Sequence, residues 1–120
     1  MSQRIENIID GVISGKTSAA IEVPSGYSQV QVVIDRTRFE DMTTKDETLF
    51  EVGIYSGDNY LGGAGFAGGR FGPNDADSAR PGMRMLWATY RTQLPSDVTE
   101  LSVTIGAKKE FDCLSHVDFL

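Results

Sequence analysis

The sequence predicts an all-β fold: an antiparallel β-sandwich of about seven or eight short strands, jelly-roll or immunoglobulin-like. Three observations lead there. Apolar residues recur at every second position in short stretches along the whole chain. Glycine, proline, aspartate and asparagine clusters separate those stretches at the spacing of strand turns. Apolar residues at helical spacing are nearly absent.

The elements follow in order. Ile5, Ile8, Ile9, Val12 and Ile13 mark an irregular first strand region, and Ala19, Ile21 and Val23 mark the next, with Ser14-Gly15-Lys16 read as a turn between them. Pro24-Ser25-Gly26 is a second turn. SQVQVVID then alternates, with Val30, Val32 and Ile34 on its buried face. A polar stretch, RTRFEDMTTKDE, precedes a strand carrying Phe50, Val52 and Ile54. Ser56-Gly57-Asp58-Asn59 is a strong turn signal leading into a glycine-rich strand from Tyr60 to Phe66. A long loop, residues 68–82, comes next, the most irregular part of the chain. Met85, Trp87 and Thr89 oppose Leu86, Ala88 and Tyr90 on the following strand, and Leu94-Pro95-Ser96-Asp97 turns. Leu101, Val103 and Ile105 alternate, Gly106 to Glu110 is read as a turn, and Phe111, Cys113, Ser115, Val117 and Phe119 form the last strand. The expected core is Val32, Ile34, Val52, Ile54, Trp87, Val103 and Ile105. One domain spans residues 1–120, with residues 1–9 a candidate polar arm.

Composition narrows the function. The 120 residues carry a net charge of −6, with a pI near 4.6. An acidic chain lacks the basic stripe that nucleic acid and anionic membrane surfaces require. No apolar run reaches membrane-spanning length, and MSQRIENIID has no apolar signal core. The single cysteine, Cys113, cannot form an internal disulfide, which fits synthesis in a reducing cytoplasm.

Four groups of residues could carry chemistry. The first is GVISGKT at 11–17, whose Gly15-Lys16-Thr17 matches the tail of a phosphate-binding loop. That loop requires a glycine at position 10, where Asp10 stands, and a helix afterwards, where TSAAIEV alternates like a strand. Nucleotide is therefore not expected. The second is Cys113 with His116, the sole histidine. A zinc site needs four ligands, and alternation sends these two side chains to opposite faces, so neither a metal site nor a nucleophile pair is expected. A buried cysteine and a half-exposed histidine are. The third comprises Asp35, Glu40, Asp41, Asp46 and Glu47, with Asp75 and Asp77 in the long loop. Such carboxylates could bind calcium or act on glycosides, but they read first as solvated loops, and Arg36 and Arg38 neighbour the first group. The fourth is the aromatic set Tyr55, Tyr60, Phe66, Phe71, Trp87 and Tyr90, either a sugar-binding platform or core; for Trp87 core is favoured.

VQVVIDRTRFED, followed by a strand and then SGDNYLGGAGFAGG, with Leu94-Pro95 before LSVTIG, resembles a pattern in small β-sandwich structural proteins of tailed phages. It spans roughly residues 20–106, departs at the Thr43–Glu47 insert and the 70–82 loop, and carries no catalytic residues. It implies a virion component, made in the host cytoplasm: a capsid decoration (cement) protein or a head or tail accessory. Such a protein acts through protein–protein contacts, is not an enzyme, and has no cofactor, metal or small-molecule substrate. Its partners would be capsid or tail proteins of the same particle, with homo-oligomer contacts in the assembly. Candidate contact residues are Ile5, Ile8 and Ile9 of the arm, and Arg70, Phe71 and Arg80 of the long loop. The alternative is a carbohydrate-binding or adhesion module.

Overall fold

A computed structural model describes residues 2–39, 48–67, 83–84 and 88–120. Seven strands are formed among them: β1 (Gln3–Glu22), β2 (Gln29–Phe39), β3 (Thr48–Ser56), β4 (Asn59–Ala67), β5 (Met83–Arg84), β6 (Ala88–Gln93) and β7 (Glu100–Phe119). Every pairing is antiparallel. The all-β, β-sandwich expectation holds, and the sheet curls until it is nearly barrel-shaped.

The architecture rests on two strands of 20 residues each, β1 and β7, which pair along their whole length from Gln3↔Phe119 to Glu22↔Glu100. The first half of β7 also pairs with β3 (Val52↔Ile105, Ile54↔Val103), and its second half with β2 (Val30↔Phe119, Val32↔Val117). One layer is therefore β4–β3–β7–β1, and the other is β6–β2–β7–β1, with β5 pairing alongside β2 beyond β6. A straight strand of this length would reach about 66 Å, yet the longest dimension of the molecule is 47 Å. The pair must bend, and the register breaks where it does, between Ile13↔Phe111 and Gly15↔Ala107. Gly11 at φ 131° and Gly15 at φ 78° supply a backbone that L side chains rarely adopt.

This corrects two sequence expectations. Ser14-Gly15-Lys16 and Gly106–Glu110 are not turns between strands; they face each other as irregularities inside β1 and β7. Turn-forming residues that are paired across a ladder bend the ladder without ending it. The turns at Pro24-Ser25-Gly26, Ser56–Asn59 and Leu94–Asp97 do join strands.

The core lies between the layers. Val30, Val32, Ile34, Phe50, Val52, Ile54, Leu101, Val103, Ile105, Val117 and Phe119 are all buried in one cluster, as the alternation predicts. Trp87, expected there too, lies outside the described residues. On the far side of the sandwich the Tyr90 hydroxyl reaches Gly62, occupying the space that a Cβ on Gly62 would need. The glycine of β4 thus lets β6 close against it.

Candidate functional site

The arm expected over residues 1–9 is strand from Gln3 onward. Ile5 and Ile8 are half-buried against the core, and Ile9 is inside it, 6% exposed. Ile9 is therefore unavailable as a surface anchor. Asn7, at φ 53°, sits in a register break between Ile5 and Ile9; asparagine tolerates this left-handed conformation better than most residues. Arg70, Phe71 and Arg80 lie outside the described residues, as do Glu40, Asp41, Asp46, Glu47, Asp75 and Asp77.

Among the described residues β1 pairs on one side only, with β7. A long free edge invites another strand. Here the bulge at Asn7 and the bend at Gly11–Gly15 interrupt the edge, so it cannot template an uninterrupted ladder. Val12, 66% exposed, stands out on it as a large apolar side chain facing solvent.

The ionisable residues form a chain that periodicity could not reveal. His116 is buried rather than half-exposed, 4% accessible, and pairs with Asp35 through Nδ1 at 2.7 Å from Oδ2. An ionised carboxylate only accepts, so Nδ1 carries the proton. His116 Nε2 lies 3.4 Å from Asp118 Oδ2, within ion-pair reach but out of alignment for a hydrogen bond. Asp118 in turn accepts from Arg4 Nε at 2.8 Å and Nη2 at 3.3 Å. Burial raises the Asp118 carboxyl. The Arg4 hydrogen bond and the charges of His116 and Arg4 outweigh that, so it stays below the usual carboxylate range. Asp35 is the extra residue of a bulge, since Ile34 pairs with Ser115 and Arg36 with Leu114, and the bulge aims its carboxylate at the imidazole. Arg4, Asp118, His116 and Asp35 thus tie β1, β7 and β2 together, and every one of these groups faces another member of the chain.

Cys113 faces inward, 1% exposed. Burial, helped by Asp112, Asp35 and Asp10, pushes its thiol up to about 12. The folded protein is expected to resist iodoacetamide at pH 8, with labelling rising along the urea unfolding curve. Labelling of the native protein at the rate of a free thiol would show that β7 opens at this point. Neighbouring Ser115, buried on the same face, donates to the Ile9 carbonyl at 3.0 Å.

The predicted loop motif at Gly15-Lys16-Thr17 lies within β1, where Lys16 Nζ sits 5.7 Å from the centroid of the Tyr55 ring. Of the aromatic set, Tyr55 and Tyr60 come together across the β3–β4 hairpin, with ring centroids 5.3 Å apart. Tyr90 turns away from them toward Gly62. Among the described residues no group of three or more His, Cys, Asp or Glu is placed to hold a metal ion.

No protein-family model matches the chain, and no curated protein matches its sequence. Solved structures do match in shape. A crystal structure of dimeric latent PorU from Porphyromonas gingivalis superposes with a TM-score of 0.55 at 8% identity, covering 98% of this chain and 12% of PorU. The VP2 subviral particle of infectious bursal disease virus superposes at 0.52 and 11% identity, covering 99% of this chain and 32% of VP2. The C-terminal CBM6 of LamC from Zobellia galactanivorans gives 0.49 at 10% identity, with 98% of both chains covered. The chain thus spans about an eighth of PorU and a third of VP2. At these identities the likeness is one of fold. Its neighbours include both a viral capsid protein and carbohydrate-binding sandwich modules.

Proposed function

We propose that this chain is a non-catalytic structural protein of a tailed-phage particle, a capsid decoration or head or tail accessory protein that acts through protein–protein contacts. The observation that carries the proposal is the whole-chain fit to a capsid protein's sandwich, 99% of the residues, joined to the resemblance of residues 20–106 to small phage structural proteins. Two structural features are in keeping with it. The first and last strands pair along their length, from Gln3 with Phe119 to Glu22 with Glu100, which makes a rigid frame for surface contacts. The histidine cluster spends its charges on tying strands together. The exposed rim of β1, with Val12 and the half-buried Ile5 and Ile8, is the described surface best suited to a neighbouring subunit. Contacts of this kind gain strength from repetition over a shell.

Co-sedimentation tests the proposal. Gradient-purified particles of the phage whose genome encodes this chain are expected to carry it in fixed copy number. Purified protein added to particles assembled without it is expected to restore that number, and Val12→Asp to lower it while the circular dichroism stays unchanged. Recovery of the chain only in the soluble lysate fraction overturns the reading.

A further inference from the structure

The outward face of the β4–β3–β7–β1 layer is rich in glycine. Its cross-strand rows can be read from the register. Ala20, Ser102, Tyr55 and Tyr60 form one row; Ser18, Thr104, Gly53 and Gly63 the next; Lys16, Gly106, Glu51 and Gly65 the third. Four glycines in two adjacent rows leave a trough where side chains would otherwise stand. A cleft of about 380 Å³ opens there, within the usual size range of ligand sites.

The glycines shape the trough in two ways. Beneath the tyrosines they allow the rings to fold back onto the sheet. A Cβ on Gly53 would lie 3.0 Å from Tyr55 Cε1 and 2.9 Å from Thr104 Oγ1, and one on Gly63 would meet the Tyr60 hydroxyl at 2.6 Å. Between the charges they leave room: a Cβ on Gly106 would meet nothing nearer than Lys16 Cγ, at 4.0 Å. Lys16 and Glu51 are both register partners of Gly106, one on each side. A cation and a carboxylate therefore flank an empty position.

We propose that this trough binds a neutral glycan. Tyr60, 60% exposed, offers an apolar ring with a polar tip, which suits the C–H face of a pyranose. The Tyr55 and Tyr60 rings pack against each other, centroids 5.3 Å apart and tilted by 55°, which holds the exposed Tyr60 ring in place for one sugar to stack on. Glu51 accepts and Lys16 donates hydrogen bonds to sugar hydroxyls, and Thr104 lines the floor between them. The two opposite charges cancel, so the site has no net attraction for an anion, and one carboxylate is too few for a cation. The inference stands apart from the virion reading, since it concerns what this face holds and not where the chain resides.

The test begins with a printed array of neutral plant and bacterial polysaccharides and oligosaccharides, with uronic-acid and sulfated glycans as charged controls. The best binder is then titrated by amide NMR. Saturable shifts are expected at residues 16–18, 51–55, 60–65 and 102–106. Tyr60→Ala is expected to weaken binding at least tenfold and Glu51→Gln about fivefold. Gly106→Leu, which fills the trough where there is open space, is expected to abolish binding with the melting curve unchanged. No neutral glycan bound on the array, binding by charged glycans alone, shifts confined to another face, or full affinity in a folded Gly106→Leu protein would each overturn the proposal. None of these outcomes bears on whether the chain sediments with particles.

Discussion

Replacing Phe119 by alanine is expected to destabilise the protein by about 3–5 kcal/mol, the usual cost of removing a buried aromatic ring and leaving a cavity. Phe119 is fully buried, with its ring centroid 6.2 Å from that of Tyr27. It sits where the chain closes, paired with Gln3 of β1 on one side and Val30 of β2 on the other. The next residue locks the same corner: Leu120 N donates to the Gln29 carbonyl, and the Leu120 carbonyl accepts from Ser28 and Gln29. A void at Phe119 therefore loosens the corner where β1, β2 and β7 meet. Ile54→Ala and Val103→Ala, opposite one another and fully buried, are expected to follow at about 2–4 kcal/mol. Thermal melts provide the measurement. For a domain of this size the Phe119→Ala midpoint should fall by more than about 10 °C; a midpoint within two degrees of the parent would place the ring outside the core.

Asp118→Asn is expected to cost about 1–3 kcal/mol near neutral pH, because it removes the carboxylate that accepts from Arg4 Nε and Nη2 and lies beside the buried His116 ring. The effect has a defined pH dependence. The folded carboxyl lies below its ordinary value, so the unfolded chain takes up the proton first as pH falls. The stabilisation is complete above the ordinary carboxylate range and is lost as pH drops through the lower folded value. Urea titrations of parent and variant should differ at pH 7 and converge toward pH 2. The variant keeps the shape of the side chain, so the comparison reads charge and not packing. A gap that is constant between those two pH values would show that Asp118 contributes no charge-dependent stability.

The alternating apolar positions were legible because a strand's side-chain period is strict. Val32, Ile34, Val52, Ile54, Val103 and Ile105 fall inward wherever the flanking strands are placed. The turns at Pro24, Gly57 and Pro95 were legible for a similar reason, since each relies on the local backbone preference of a few residues. Gly15 and Gly106 misled, because the same preference serves a bend inside a long pair as well as a turn at its end. Which of the two occurs depends on whether a partner strand lies alongside, and that is a long-range fact. His116 misled too. Alternation assigns it to a face but cannot say whether the face is covered, and its partners come from Asp35 and, through Asp118, from Arg4, 114 residues from Asp118 in the chain.

The sequence by itself determined the all-β class, the buried positions of the regular strands, the acidic surface and the absence of a phosphate-loop pattern at Gly15-Lys16-Thr17. Each follows from composition or from periods shorter than one strand. Only the tertiary structure decided that β1 and β7 are single bent strands, that Ile9 lies in the core, and that Lys16, Glu51, Tyr55 and Tyr60 surround one glycine-floored trough. Those outcomes depend on register between strands far apart in the chain. A shift of one residue in the β3–β7 pairing would send Glu51 and Tyr55 to the opposite face, and register is set by the packing of the whole sandwich.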